Sequence, residues 1–223
     1  MKIKIAQWNI GSVFFRSRIR GNDKFPYSLF HKNRLKFIKR SIEFHDPDLI
    51  LLQEYLSGDF DVNNYPYNVV MKKLEYATNT AIFSKLPITE ISTNPVAGFC
   101  SAKIGNIHLV SLHWKPWSSR DRFMQAKKLK EYLVDKKAIV VGDFNILQFN
   151  GWFILSLDKL SWHIITSNDY ACPKSFDRSI FGLDYCIAHK YIRIKKLITK
   201  SNWLNKLQSS IDHKISVFEY DGE

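Results

Sequence analysis

The residues of this sequence with the clearest chemical potential are polar side chains at the ends of apolar runs. Asn9 ends the first such run, Glu54 ends the second and His113 ends a third. Asp143 follows the apolar segment 138–141 after a single glycine. Ionised groups beside buried apolar segments are costly unless they are paired or bind a metal ion. If these residues converge, they form a site of carboxylates, amides and histidines.

Four further polar residues extend this set toward the end of the sequence, namely Asn145, Asp184, Asp212 and His213. Oxygen ligands without thiolates suit a hard cation such as Mg²⁺ or Mn²⁺. Magnesium keeps several of its waters and takes only one or two protein carboxylates. The set therefore predicts a magnesium or manganese site.

Each of these residues also has an ordinary structural explanation when it is taken alone. Glu54 could cap a helix or pair with a lysine, and His113 could be a hydrogen-bonded core histidine. Asn9 and Asn145 could be turn residues, which is a common use of asparagine, and residues 212–213 could form a surface turn. A purely structural interpretation requires that all of these explanations hold at once, each at the end of a strand.

The elements that must position these residues follow from hydrophobic periodicity. Helices are predicted over 30–44 and 119–134, the second with Ser118 and Asp121 as a capping box. Strands are predicted near 3–9, 48–54, 67–72, 79–84, 96–104, 106–113, 138–141, 162–166, 183–188, 191–198 and 214–219. The order strand, helix, strand and then more strands occurs twice. This pattern predicts an α+β protein with two sheets packed face to face and helices outside.

Length and composition indicate one folded unit. The sequence has 223 residues, of which 45% are hydrophobic and 14% aromatic. Such a chain can bury a core without disulfides or a structural metal, and it is not disordered. We expect a single domain over 1–223 that is monomeric.

The charge balance favours polyanionic partners. There are 33 Lys and Arg residues against 21 Asp and Glu residues, which gives a net charge of +12. A surface this positive attracts nucleic acid or acidic lipid headgroups. The alternative is a lysine-rich surface with no particular partner.

Cysteine usage and the first residues indicate a compartment. Cys100, Cys172 and Cys186 are far apart in the sequence and form no CxxC pair. A structural zinc site is therefore not expected, and isolated thiols suit a reducing compartment. The opening MKIKIAQWNI alternates like a strand and lacks the apolar run of a signal peptide. No segment has the length of a membrane span. We expect a cytoplasmic protein without stable membrane association.

Five segments resemble motifs of the endonuclease/exonuclease/phosphatase superfamily, also called the DNase I-like fold. They are Trp8-Asn9-Ile10, Leu52-Gln53-Glu54, Gly142-Asp143-Phe144-Asn145, Leu183-Asp184-Tyr185 and Ile211-Asp212-His213. They occur in the family's order and at about its spacing, and residues 80–87 look like its middle strand. The resemblance implies the family's fold, a four-layer α/β sandwich of two mixed β-sheets flanked by helices.

The resemblance also implies a role for each matching residue of the metal site. Glu54 would be the principal metal ligand, with Asn9 close by and Asp212 completing or supporting the site. Asp143 and Asn145 would position the attacking water and hold the phosphate.

Two histidines would complete the catalytic set. Asp184 would hydrogen-bond His213 and hold its tautomer. His113 matches a histidine of the nuclease, sphingomyelinase and tyrosyl-DNA phosphodiesterase branches of the family. Whether His213 acts as a general base or as a phosphate ligand stays open.

Departures from the family pattern narrow the activity. Gly11 stands where apurinic endonucleases and tyrosyl-DNA phosphodiesterases usually carry an acidic residue, and Ile211 replaces the usual serine. With His113, the glycine argues against an apurinic endonuclease. The Trp-Cys that precedes Asp-Arg in inositol polyphosphate phosphatases is missing before Asp177-Arg178.

The residues around the predicted site favour nucleic acid as substrate. Basic and aromatic residues interleave between Asn9 and Arg34, which suits phosphate contacts and base stacking. Trp114 and Trp117, just past His113, could form a second stacking wall. Packing of these aromatic residues onto their own domain is the alternative. We expect hydrolysis of DNA, RNA or both by in-line attack of water.

Two other functions are open. A sphingomyelinase-like lipid phosphodiesterase would need an exposed apolar hairpin, for which residues 151–155 are the candidate. A catalytically silent nucleic-acid-binding protein would not need the complete set of carboxylates, amides and histidines that this sequence has.

Overall fold

The architecture was read from a computed structural model. It describes residues 2–10, 27–55, 63–72, 79–115, 118–145, 162–166, 184–197 and 215–221. Within these ranges, the description of residues 27–34, 162–166, 184 and 196 extends to the backbone only.

The described residues form two helices and twelve strands. In chain order they are β1 (Lys2–Asn9), α1 (Tyr27–His45), β2 (Leu49–Tyr55), β3 (Tyr67–Lys72), β4 (Asn79–Ser84), β5 (Thr89–Asn94), β6 (Phe99–Ile104), β7 (Ile107–His113), α2 (Ser119–Leu133), β8 (Ala138–Asp143), β9 (Trp162–Thr166), β10 (Asp184–His189), β11 (Ile194–Leu197) and β12 (Ser216–Asp221). Among the described helices, none has the length and apolar character needed to cross a membrane.

The strands form two six-stranded mixed sheets. Sheet 1 has the order β11-β12-β1-β2-β4-β3, and sheet 2 has the order β5-β6-β7-β8-β10-β9. One pair in each sheet is parallel, β1 with β2 and β7 with β8. The other pairs are antiparallel.

The core lies in three layers that separate four layers of secondary structure. Inward side chains of both sheets form the central layer, with Ile5 and Leu51 from sheet 1 and Leu109 and Val141 from sheet 2. Helix α1 covers the outer face of sheet 1, and helix α2 covers that of sheet 2. Strand β7 is buried at every residue because it is covered on both faces. The predicted α+β fold, a four-layer sandwich of two mixed sheets flanked by helices, is confirmed.

The two halves of the chain repeat one arrangement. Elements β1-α1-β2-β3-β4 have the same order and neighbours as elements β7-α2-β8-β9-β10. In each half, a helix joins two parallel strands, and the last strand returns to pair with the second. The carboxyl ends of the parallel strands therefore lie at the same end of both sheets.

Helix α2 begins where the sequence predicts. The Ser118 hydroxyl accepts a hydrogen bond from the Asp121 backbone N–H at 3.1 Å, so Ser118 is the N-cap. Ala126, Leu129 and Leu133 then form its buried stripe.

The region between β4 and β7 differs from the sequence prediction. A strand was predicted over 96–104, but β6 begins at Phe99, since residues 95–98 form a turn. Strand β5 was not predicted. It is a mostly exposed edge strand of polar residues, and only Ile91 in its sequence is apolar, so it lacks the alternation that marks a half-buried strand.

Two cysteines lie in the central core. Cys100 and Cys186 are free thiols, and burial raises the pKa of both above its usual range. They pack as small apolar residues. Cys172 lies outside the described residues.

Candidate active site

Four polar side chains from both sheets meet at the carboxyl ends of the parallel strands. The Asn9 Nδ2 donates to Asp143 Oδ2 at 3.0 Å and lies 3.4 Å from Glu54 Oε1. The His113 Nε2 is 3.7 Å from Glu54 Oε1 and 3.9 Å from Asp143 Oδ2. The amide of Asn9 and the imidazole of His113 thus each lie close to the carboxylates of both Glu54 and Asp143.

A β-bulge turns Glu54 into this site. The pairing of β2 with β4 shifts between Leu52 and Tyr55, so β2 carries one extra residue there. Glu54 has a φ of 54°, an uncommon conformation for a residue with a Cβ. Leu52 and Tyr55 both face the outer core under α1. The bulge therefore lets the two consecutive residues Gln53 and Glu54 face the space between the sheets.

The register of β7 and β8 brings His113 beside Asp143. These residues are paired across the parallel strands. One residue earlier the backbones approach closely at Gly142, where an added Cβ would lie 2.0 Å from the Leu112 carbonyl oxygen. Only glycine permits this approach.

The segment that follows β8 is held by local hydrogen bonds. The Asn145 backbone N–H donates to Asp143 Oδ1 at 2.8 Å, and its side-chain Nδ2 donates to the Trp114 carbonyl at 2.8 Å. Asn145 has a φ of 50°, which asparagine tolerates better than most residues. The amide of Asn145 thereby ties the end of β8 to the end of β7.

The prediction that Trp114 stacks on substrate is wrong for this structure. Its side chain is 0% exposed and packs edge-on against Phe144 at a centroid distance of 4.9 Å. Neighbouring residues of a strand point to opposite faces. Since His113 faces the site, Trp114 faces the core beneath α2.

A neutral polar layer lies between the site and the apolar core. It consists of Gln7, Gln53 and Ser111, which are each at most 1% exposed. These three residues were not predicted to have a role in the site. The signal that could have found them is a polar side chain at a core-facing position, as Gln7 continues the inward series of Ile3 and Ile5.

The electrostatics of the site favour a bound cation. The side chains of Glu54 and Asp143 are only 14% and 3% exposed. Two such carboxylates repel each other, and a positive group close to both, such as a protonated His113 imidazole or a metal ion, would stabilise the pair. Their oxygens are hard ligands, and one or two carboxylates suffice for Mg²⁺. The donor set therefore fits magnesium or manganese.

Several predicted residues are not placed by the structure. Among the described residues, no three His, Cys, Asp or Glu side chains form a group arranged to hold a metal ion. Asp212 and His213 lie outside the described residues. The backbone of Asp184 pairs with that of Asp143, and that of Arg34 lies in α1, but neither side chain is described.

A family model and several solved structures match this chain. The model of the Endonuclease/Exonuclease/phosphatase family matches residues 6–213. No curated protein matches the chain in sequence. The structure of humanised D. rerio TDP2 with 14 mutations is 12% identical over 99% of both chains, with a TM-score of 0.68.

Two further structures show the same likeness. The human Nocturnin catalytic domain with bound sulfate is 16% identical and covers 99% of this chain and 93% of its own, with a TM-score of 0.65. An AP endonuclease from Archaeoglobus fulgidus is 16% identical over 99% of both chains, with a TM-score of 0.63. At these identities the likeness shows the fold, which is DNase I-like.

Proposed function

Because the chain belongs to the endonuclease/exonuclease/phosphatase family, we propose that it is a Mg²⁺- or Mn²⁺-dependent phosphodiesterase that hydrolyses nucleic acid. The observation that carries this proposal is the meeting of Asn9, Glu54, His113 and Asp143 from four strands of two sheets. Such a group is costly to bury in a protein that does not use it.

The metal site is the first part of the proposal. Glu54 is the principal ligand, Asn9 lies beside it, and Asp212 completes or supports the site. A divalent cation bound there would neutralise the charge that grows on the phosphate oxygens during attack. The hydrogen bond from Asn9 to Asp143 and its closeness to Glu54 support this assignment, because one amide keeps both carboxylates in place.

The remaining residues act on water and phosphate. Asp143 accepts a proton or a hydrogen bond from the attacking water and orients it. Asn145, pinned by Asp143 and Trp114, presents its amide to a phosphate oxygen. His113 donates to a phosphate oxygen or to the leaving oxygen, and Asp184 holds His213 in its active tautomer. The pairing of β7 with β8 supports placing His113 and Asp143 on the same substrate group.

Nucleic acid is the substrate that the charge favours. The net charge of +12 attracts a polyanion and would speed its association. Arg34, which lies in the first half of α1, contributes to this attraction. Trp114 is not used for stacking, since it is buried.

The test is a substrate panel. Plasmid, single-stranded DNA, RNA and a sphingomyelin analogue are incubated with the protein and Mg²⁺ or Mn²⁺, and then with EDTA. We expect metal-dependent cleavage of at least one nucleic acid, and loss of cleavage by about 100-fold or more in Glu54→Gln. Glu131→Gln, the same change on the exposed face of α2, is the matched control. Headgroup release alone would move the assignment to a lipid phosphodiesterase, and binding without turnover would refute catalysis.

A further inference from the structure

One side chain beneath the candidate active site joins three strands of the two sheets. The Gln53 Oε1 accepts from Gln7 Nε2 at 2.8 Å, within sheet 1. Its Nε2 donates to Ser111 Oγ at 3.0 Å, across to sheet 2. The Ser111 hydroxyl in turn donates toward the Leu52 carbonyl at 3.4 Å. Both ends of the Gln53 amide are thus used.

The two partners of Gln53 hold equivalent places in the two halves of the chain. Gln7 lies two residues before Asn9, and Ser111 lies two residues before His113. The strand ends match as well: the Ile10 backbone N–H donates to the Gln53 carbonyl at 3.0 Å, as the Trp114 N–H does to the Asp143 carbonyl at 3.0 Å.

This placement links the amide of Gln53 to the geometry of the site. Residues two apart on a strand point to the same face. Gln7 therefore lies on the same face of β1 as Asn9, and Ser111 lies on the same face of β7 as His113. A bond that fixes Gln7 or Ser111 thereby fixes the place of Asn9 or His113. Gln53 itself precedes Glu54 in the bulge.

Burial makes this arrangement specific. Gln53 and Ser111 are 0% exposed, so a donor or acceptor that loses its partner there finds no water to replace it. A slip between the sheets would break the bond across them. The bond from Gln53 to Ser111 therefore helps to set the spacing between β2 of sheet 1 and β7 of sheet 2.

We propose that Gln53 is a positioning residue: its amide, bonded to Gln7 of β1 and to Ser111 of β7, holds sheet 1 and sheet 2 at the separation at which Asn9, Glu54 and His113 face one another. The inference rests on the proposed function, because the residues that Gln53 would position are those proposed to bind metal and substrate. Gln53 has no proposed contact with metal or substrate. It acts through Asn9 and Glu54 at the metal site and through His113 at the phosphate.

Two variants test this role. Ser111→Ala removes the arm to sheet 2, and Gln53→Met removes both arms while keeping the side chain about as long. Binding of Mn²⁺ alone is measured by electron paramagnetic resonance, and kcat and KM are measured on a cleaved oligonucleotide. We expect the Mn²⁺ dissociation constant to rise and kcat to fall, each about 10- to 100-fold, with KM little changed.

A core variant separates positioning from stability. Ile187→Val removes one methyl group from the buried layer beneath α2 and should leave Mn²⁺ affinity as in the wild type. The positioning role is overturned if folded Ser111→Ala and Gln53→Met keep wild-type affinity and kcat, or if Ile187→Val loses affinity to the same extent. A wild-type protein that neither binds Mn²⁺ nor cleaves would overturn the proposed function, and this inference with it.

Discussion

At the scale of single residues, Asn9 holds two carboxylates together without cancelling their charge. Its Nδ2 lies within 3.4 Å of Glu54 and 3.0 Å of Asp143. A lysine at this position would form ion pairs and occupy the place of a cation. An asparagine fixes the two carboxylates through its neutral amide and adds no positive charge of its own.

Gly142 is a residue at which a small change should cost much stability. In Gly142→Ala, the new Cβ would lie 2.0 Å from the Leu112 carbonyl oxygen, so β7 and β8 would have to separate. We expect the free energy of unfolding to fall by about 3 kcal/mol or more. Urea denaturation measures it.

The control for this prediction is Gly105→Ala in the turn between β6 and β7. Gly105 has a φ of 58° but nothing within 4 Å of an added Cβ. The free energy of unfolding of Gly105→Ala should fall only by the backbone strain, which is about 1 kcal/mol. Equal losses in the two variants would contradict the steric explanation.

At the scale of elements, apolar strands were predictable and polar ones were not. Strands β2 and β8 carry continuous apolar runs, and β7 is mostly apolar with His108 and Ser111 between its apolar residues. The ends of these strands, and with them Glu54, His113 and Asp143, could therefore be located from the sequence. The exposed edge strand β5 carries no such run. A local pattern of apolar residues indicates which strands are buried. An exposed edge strand such as β5 is held by backbone pairing with its neighbour, which leaves no such pattern.

The orientation of the site residues was predictable only in part. Because side chains alternate along a strand, a His113 side chain that faces the site implies a Trp114 side chain that faces the opposite side of the sheet. The bulge at Glu54 depends on how β2 pairs with β4. That pairing involves residues about 27 positions away, which no local pattern contains.

The end of helix α1 should make stability depend on pH. Burial of His45, aided by the nearby Lys4 ammonium, lowers the pKa of its imidazole below 6.5. The folded protein therefore binds fewer protons than the unfolded chain just below pH 6.5. The stabilising contribution is present above that pH and is lost as the pH falls through the folded-state pKa.

Urea denaturation at about pH 7.5 and about pH 5.5 tests this dependence. We expect the wild type to lose more stability between the two values than His45→Gln, which cannot titrate at this position. Other histidines contribute equally in both proteins, so the difference belongs to His45. Equal losses would show that His45 is not responsible.

At the scale of the whole molecule, the net charge of +12 should govern nucleic-acid affinity. Binding of single-stranded DNA to Glu54→Gln in EDTA avoids turnover and can be followed by fluorescence anisotropy. We expect the logarithm of the association constant to fall linearly with that of salt, by about 0.7 for each phosphate contacted. An uncharged peptide nucleic acid of the same sequence should bind weakly at any salt concentration. Salt-independent binding of DNA would contradict electrostatic recognition.

The pairing of β1 with β12 has a consequence for biosynthesis. Lys2 pairs with Asp221, so the first described strand finds its antiparallel neighbour in the last. The strands of sheet 2 all lie between Thr89 and His189 and can assemble as they leave the ribosome. Sheet 1 cannot be completed until β12 has been synthesised. Until then, the backbone groups on one side of β1 are unpaired and can pair with another strand. The sheet that contributes Asn9 and Glu54 is thus completed last, and a chain truncated before β12 would leave one edge of β1 unpaired.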